Sequence, residues 1–163
     1  MNMTDEEIMR KAIELAKISG DEGEVPVGAV VTKNGEIIAT GRNRRELGKN
    51  ALYHAEIEAI NNACQKLGGW RLWQCELYVT LEPCPMCAGA IINSRIKRVV
   101  YGASDLKAGS FGSVVNFNSL AYNHKPEIVG GILEEECAAL LSNFFLKLRQ
   151  KRAENKEIDN LTK

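Results

Sequence analysis

Histidine is scarce in this sequence: His54 and His124 are the only two in 163 residues. Cysteine occurs five times, an odd number, and only Cys84 and Cys87 have CxxC spacing. With no second CxxC a zinc ribbon is excluded. One close pair in an odd set suits metal binding in a reducing compartment better than a disulfide framework. No apolar run approaches the roughly 18 residues that span a bilayer. Met1 to Arg10 carries Asp5, Glu6 and Glu7 where a signal peptide would be apolar. The expected location is therefore the cytoplasm, with no membrane partner. Neither sign of charge is in excess, since 21 Lys and Arg balance 21 Asp and Glu. Bulk charge thus gives no support to nucleic-acid binding, although a local basic face is enough to contact phosphates. The candidate face is Lys147, Arg149, Lys151 and Arg152. Its simpler reading is a solvated helix end with cations on the C-terminal dipole.

What is present is a chain with room for one domain. Thr4 and Glu7 form a capping box before the stripe Ile8, Ala12 and Leu15, predicting a helix from Asp5 to Ser19. Val25 to Thr32 and Glu36 to Gly41 read as strands, joined at Asn34-Gly35 by a hairpin turn whose central residues tolerate positive φ. Ala55 to Leu67 reads as a helix ended by Gly68-Gly69. A buried strand follows at Glu76 to Leu81, then a helix that opens at Pro85 and runs to about Ser94. Arg98 to Gly102 is a further strand. Ala103 to Lys125 carries no clear period. A short strand near Ile128 precedes a last helix with the stripe Cys137, Leu140, Leu141, Phe144 and Leu148. Alternating strands and helices imply an α/β layered domain over residues 1–152. Residues 153–163 read as a polar, frayed tail.

The informative constellation is His54-Ala55-Glu56 with Pro83-Cys84-Pro85-Met86-Cys87. It offers three soft metal ligands and one free carboxylate. A zinc ion with three protein ligands keeps a fourth position for water, which makes such a site catalytic. Cys84 and Cys87 are three apart at a helix start, so both sulfurs can reach one ion. The helix N-terminus also favours their thiolates. Glu56 is harder to place, because residues two apart on a regular helix do not share a face. It reaches the metal only if His54 sits at the very start of its helix. Given that, Glu56 is the candidate proton carrier. The pattern matches the H-x-E…P-C-x-x-C signature known for zinc-dependent base deaminases, where the glutamate is not a ligand.

Longer stretches point the same way. They include Glu24-Val25-Pro26-Val27-Gly28-Ala29-Val30, Leu77 to Glu82, Ala88-Gly89-Ala90-Ile91, Ser94-Arg95-Ile96, Asn123-His124, and Glu136 to Leu141 through Phe144-Phe145. On these residues the chain resembles the bacterial tRNA-specific adenosine deaminases, within the cytidine-deaminase-like superfamily. The resemblance covers roughly Glu6 to Arg149. It implies a three-layer α-β-α domain with a central five-stranded mixed sheet flanked by about five helices. It implies one zinc per subunit on His54, Cys84 and Cys87, with Glu56 catalytic. The implied reaction converts the wobble adenosine of a tRNA anticodon loop to inosine, in a homodimer. By match, Asn43 would contact the base and Leu81 and Glu82 would line the pocket. The N–H groups of Ala55 and Cys84 would face the reacting centre. Asp105 and Lys107 would meet neighbouring nucleotides, and Phe145 and Arg149 would approach the anticodon loop. The segment Asn50-Ala51-Leu52-Tyr53 departs from the family, which often has a small residue where Tyr53 stands. Tyr53 is expected either to narrow the pocket or to pack outward.

Two other functions use the same residues. A deaminase of a free nucleobase such as guanine needs the identical zinc site. A non-enzymatic, zinc-stabilised interaction domain would need a fourth ligand, for which His124 or Asp105 are the candidates. A thioredoxin-like dithiol leaves His54 and Glu56 unused. Cys64, Cys75 and Cys137 read as small core residues, and Trp70 and Trp73 read as packing residues.

Overall fold

The computed structural model describes residues 2–163. In chain order the elements are α1 (Asp5–Asp21), β1 (Gly28–Lys33), β2 (Glu36–Arg42), α2 (Ala55–Leu67), β3 (Cys75–Leu81), α3 (Pro85–Ser94), β4 (Arg98–Ala103), β5 (Glu127–Val129) and α4 (Glu134–Leu161). A single 3-10 turn lies at Phe117–Ser119. The described residues thus hold four α-helices, one fewer than the resemblance implied. The α1 capping box forms as expected, with Thr4 Oγ1 accepting from Glu7 N–H and Glu7 accepting from Thr4 N–H. Asn34 and Gly35 both take positive φ at the β1–β2 turn, and Gly68 caps α2 in the left-handed region.

The five strands lie in the order β2-β1-β3-β4-β5. β1 is antiparallel to both β2 and β3, while β3, β4 and β5 are parallel. Side chains alternate between the two faces along each strand. Ala29, Val31, Leu77, Val79 and Val99 pack with Ala59 and Ala63 of α2 and Ala88 and Ile91 of α3. Val30, Tyr78 and Val100 pack on the other side with Ile8, Met9 and Ala12 of α1 and Cys137 of α4. The result is the expected three-layer α-β-α arrangement.

This topology places the site. β2 and β3 both oppose β1 and so run in the same direction. Each leads into a helix on the same face, so α2 and α3 begin at one edge of the sheet, outside the carboxyl ends of the strands where α/β folds bind ligands. Gly41 seats the first of these helices. A Cβ at that position would collide with the Ala55 carbonyl and the Ala59 amide. Gly41→Ala is therefore expected to destabilise the fold by about 1–3 kcal/mol and to lower bound metal. Urea denaturation and metal analysis check both, and an unchanged variant would mean that α2 has freedom to shift.

The chain's last stretch departs from the expectation of a frayed tail. α4 continues to Leu161, with Ala153 onwards wholly exposed. Lys147, Arg149, Lys151 and Arg152 consequently lie inside the helix, about two turns or more from its end. The C-terminal dipole acts only over the last turn, so it does not account for them.

Candidate active site

His54 is the N-cap residue of α2, with extended backbone (φ −82°, ψ 153°). This is the irregular helix start that the His-x-Glu spacing required. Glu56 becomes the second residue of α2 and turns inward, only 4% exposed. Cys84 is the N-cap residue of α3, Pro85 its first residue and Cys87 its third. The two helix starts bring His54 Nδ1 to 3.6 Å from Cys84 Sγ and 3.5 Å from Cys87 Sγ. A tetrahedral zinc with bonds of about 2.05 Å to nitrogen and about 2.3 Å to sulfur sets this N···S edge at about 3.6 Å. Among the described residues these three form the one His, Cys and carboxylate group whose donor atoms could hold a metal. The geometry and the donor chemistry both fit zinc.

The electrostatics agree. A hydrogen bond from the Cys87 thiol, helped by His54, draws the Cys84 thiol down to about 4. Cys87 itself is pushed up, by its hydrogen bond to Cys84 and by burial. Two thiolates at one spot repel without a cation between them, and a divalent ion removes that penalty. The hydrogen bond with Cys84 raises His54, although burial and, to a lesser degree, the Arg45 charge oppose this. Burial raises the Glu56 carboxyl, and the Cys84 thiolate adds to the effect. Glu56 meets the Cys87 thiol yet stays outside the donor set.

A cavity of about 170 Å³ opens beside these groups. It brings Asn43, Ala55, Leu81, Glu82 and Asp105 together with His54, Glu56 and Cys84. Ala55 is the first residue of α2, so its N–H has no partner within the helix. Val25, Val27, Arg45 and Ala108 also line the cavity and were missed as site residues. The sequence pattern puts Val25 and Val27 at the start of the first strand, but the β1 ladder begins only at Gly28.

The MafB19-like deaminase family model matches residues 3–149. The tRNA-specific adenosine deaminase of Bacillus subtilis (strain 168) is 51% identical over 152 residues, covering 92% of this chain and 94% of that protein. The chain belongs to the tRNA-specific adenosine deaminase family. The Haemophilus influenzae relative of the same name is 47% identical over 157 residues, covering 95% of this chain and 88% of its own. A solved structure from work on A-to-I editing by tRNA:A34 deaminases superposes with a TM-score of 0.80 at 44% identity, covering 82% of this chain and 97% of that one. A guanine deaminase from Nitrosomonas europaea matches with a TM-score of 0.77 at 27% identity, covering 88% and 85%.

In this deaminase Glu82 lines the cavity, but its carboxylate is spent on the following loop. It accepts from the N–H groups of Asp105, Phe111 and Ser113 (3.1–3.2 Å) and from the Ser113 hydroxyl. Asp105 Oδ1 in turn accepts from Lys107 N–H and Ala108 N–H. Lys107 is exposed and does not line the cavity. Phe145 lines an adjoining groove together with Phe144, Leu148 and Arg152, and that groove shares Val25, Asn43 and Arg45 with the cavity. Arg149 is exposed on the same face of α4, four residues after Phe145 and three before Arg152. Tyr53 packs outward. Its ring lies where a Cβ on Gly48 would stand, and it is absent from the cavity lining. His124 Nε2 donates to the Ile96 carbonyl at 2.7 Å, and its ring lies outside the group of converging donor atoms, so it is no fourth ligand. The closed structural zinc site thus has no support among the described residues. Trp70 and Trp73 are exposed rather than packed, at 51% and 63%. The Arg71 guanidinium covers the Trp70 ring at 4.3 Å.

Proposed function

We propose that this deaminase converts the wobble adenosine of a tRNA anticodon loop hydrolytically to inosine, releasing ammonia. The observation that carries the hydrolytic chemistry is the buried Glu56, beside three converging donors yet outside them; the likeness to tRNA-specific adenosine deaminases carries the substrate. His54, Cys84 and Cys87 hold one zinc per chain in this reading. Bound there, zinc supplies Lewis acidity that makes hydroxide available from water near neutral pH. Glu56 takes the proton that water gives up and delivers it to the ring. It then serves the departing amine, so water and adenosine become inosine and ammonia. A carboxyl raised by burial suits both halves of this transfer. The backbone N–H groups of Ala55 and Cys84 face the reacting carbon. Asn43 and Leu81 hold the flipped base and Asp105 meets a neighbouring nucleotide, while Glu82 shapes the wall rather than touching the base.

The groove at Phe145 supports RNA over a free base. It continues the cavity past Phe144 and Phe145 with Arg45 and Arg152 against one acid, Glu46, and aromatic faces with cations are what flanking nucleotides require. Lys107 and Arg149 act at the periphery, on phosphates. Arg149→Glu is expected to weaken binding of an anticodon hairpin and to reduce the salt dependence of log K by about one unit. Unchanged affinity would shift the reading to free guanine, which the weaker guanine-deaminase likeness favours. The deciding assay measures ammonia release from an anticodon stem-loop with a wobble adenosine, and separately from free guanine and adenine. Release from the bases alone would reject the RNA reading.

The same reading includes a homodimer in the cytoplasm. No helix among the described residues is long and apolar enough to cross a membrane. Exposed Leu52 and Tyr53 leave an apolar rim for a second copy. In this reading residues 1–152 are the catalytic domain, and the exposed residues 153–163, helical to Leu161, are an appendage.

A further inference from the structure

Glu24 is a buried acid that the chemistry does not use. It is 1% exposed, and none of the ion pairs among the described residues involves it. Its partners are backbone amides. Oε1 accepts from Glu46 N–H at 2.9 Å and Leu47 N–H at 3.2 Å, and Oε2 accepts from Glu46 N–H at 3.1 Å. These amides open a helix-like turn closed by Gly48 N–H on the Arg44 carbonyl and Asn50 N–H on the Arg45 carbonyl. The remaining opening amide, Arg45 N–H, is taken by Asn43 Oδ1 at 3.2 Å. Asn43 Nδ2 donates to the carbonyl of Val25, the residue after Glu24. The cap of this turn and the wall of the cavity are thus one hydrogen-bonded unit. The turn sends its two arginines in different directions. Arg44 pairs with Glu58 at 2.9 Å, while Arg45 lines both the cavity and the groove at Phe145.

We propose that Glu24 is a positioning residue for substrate binding, whose carboxylate holds the Arg44–Asn50 turn so that Asn43 and Arg45 stand in the cavity wall. The inference rests on the reading that this cavity takes the substrate. A carboxylate is suited to the task because it accepts hydrogen bonds without offering one. Without it two amides are orphaned and the turn loses its fixed place. The chemical groups at His54, Glu56, Cys84 and Cys87 hang on α2 and α3 and do not depend on Glu24. The effect therefore falls on KM and spares kcat.

The test uses the zinc-loaded enzyme and its Glu24→Ala and Glu24→Gln variants. Kinetics are measured on the anticodon hairpin or, if the wild type leaves that inert, on the base it does convert. An inert hairpin with wild-type enzyme counts against the RNA reading, whereas only the variants bear on Glu24. Glu24→Ala is expected to raise KM about tenfold, Glu24→Gln by less, with kcat within about twofold and zinc content unchanged. Adding Arg45→Ala to Glu24→Ala should raise KM little further, because a residue that is no longer positioned has little left to lose. Loss of zinc, a fall in kcat at constant KM, or multiplied effects in the double variant would overturn the proposal. Should Glu24→Ala not fold, amide exchange in Glu24→Gln decides. Glu46 and Leu47 are expected to exchange at least about tenfold faster than in the wild type, and equal rates would overturn it.

Discussion

Glu56→Ala is expected to keep about one zinc per chain and to lose turnover by about 10²–10⁴-fold. The donor set is complete without Glu56, since His54 and the two cysteines make the N···S edges of a zinc tetrahedron. Metal binding therefore survives the substitution. Turnover does not, because Glu56 is the cavity carboxylate that meets the Cys87 thiol. Glu82 is engaged by three amides and a hydroxyl, and Asp105 Oδ1 by two amides. Substrate affinity should change little, so the loss falls on kcat. The measurement pairs metal analysis with single-turnover ammonia release, and turnover within tenfold of wild type would remove Glu56 from the mechanism. Glu56→Gln is the sharper variant. It keeps the shape of a 4% exposed side chain while abolishing its basicity, so it separates proton transfer from packing.

Cys87→Ala carries the second large effect, expected as loss of bound zinc and of all measurable turnover. Cys87 is fully buried at the third position of α3, where no solvent ligand substitutes well for its sulfur. Removing it leaves one imidazole and one thiolate, too few for a tetrahedral catalytic site with three protein ligands. Chelation of the wild-type enzyme should give the same loss, reversible on adding zinc. That reversal distinguishes an absent ion from a damaged fold. The variant should unfold at a similar denaturant concentration to the metal-free wild type, since the removed group is small. Full zinc occupancy in Cys87→Ala would overturn the assignment of the donor set.

The ligands and the acid were visible as a linear motif, because metal binding and proton transfer each demand particular residue types at short spacing. The hairpin at Asn34-Gly35, the start of α1 at Thr4 and the ends of α2 and α3 were equally legible, since caps and turns are local chemistry. The stretch from Ala103 to Lys125 was not. Its order comes from Glu82, more than twenty residues upstream, whose carboxylate gathers amides from Asp105 to Ser113. Trp70 and Trp73 were misplaced for a related reason: apolar character argues for burial, but Leu72 between them takes the core position and leaves both rings outside.

The amino-acid sequence alone determined the three candidate metal donors and the glutamate that stands beside them, the order of helices and strands and the family. Residue identity and spacing of a few positions suffice for these. Tertiary structure alone decided that His54 begins α2 in extended backbone and so aims Glu56 inward. It also turned Tyr53 out against Gly48, extended α4 past its basic residues, and made Glu24 and Glu82 the anchors of the cavity walls. Each of these outcomes depends on which backbone amides and carbonyls arrive from distant segments, and periodicity along one element carries no record of them.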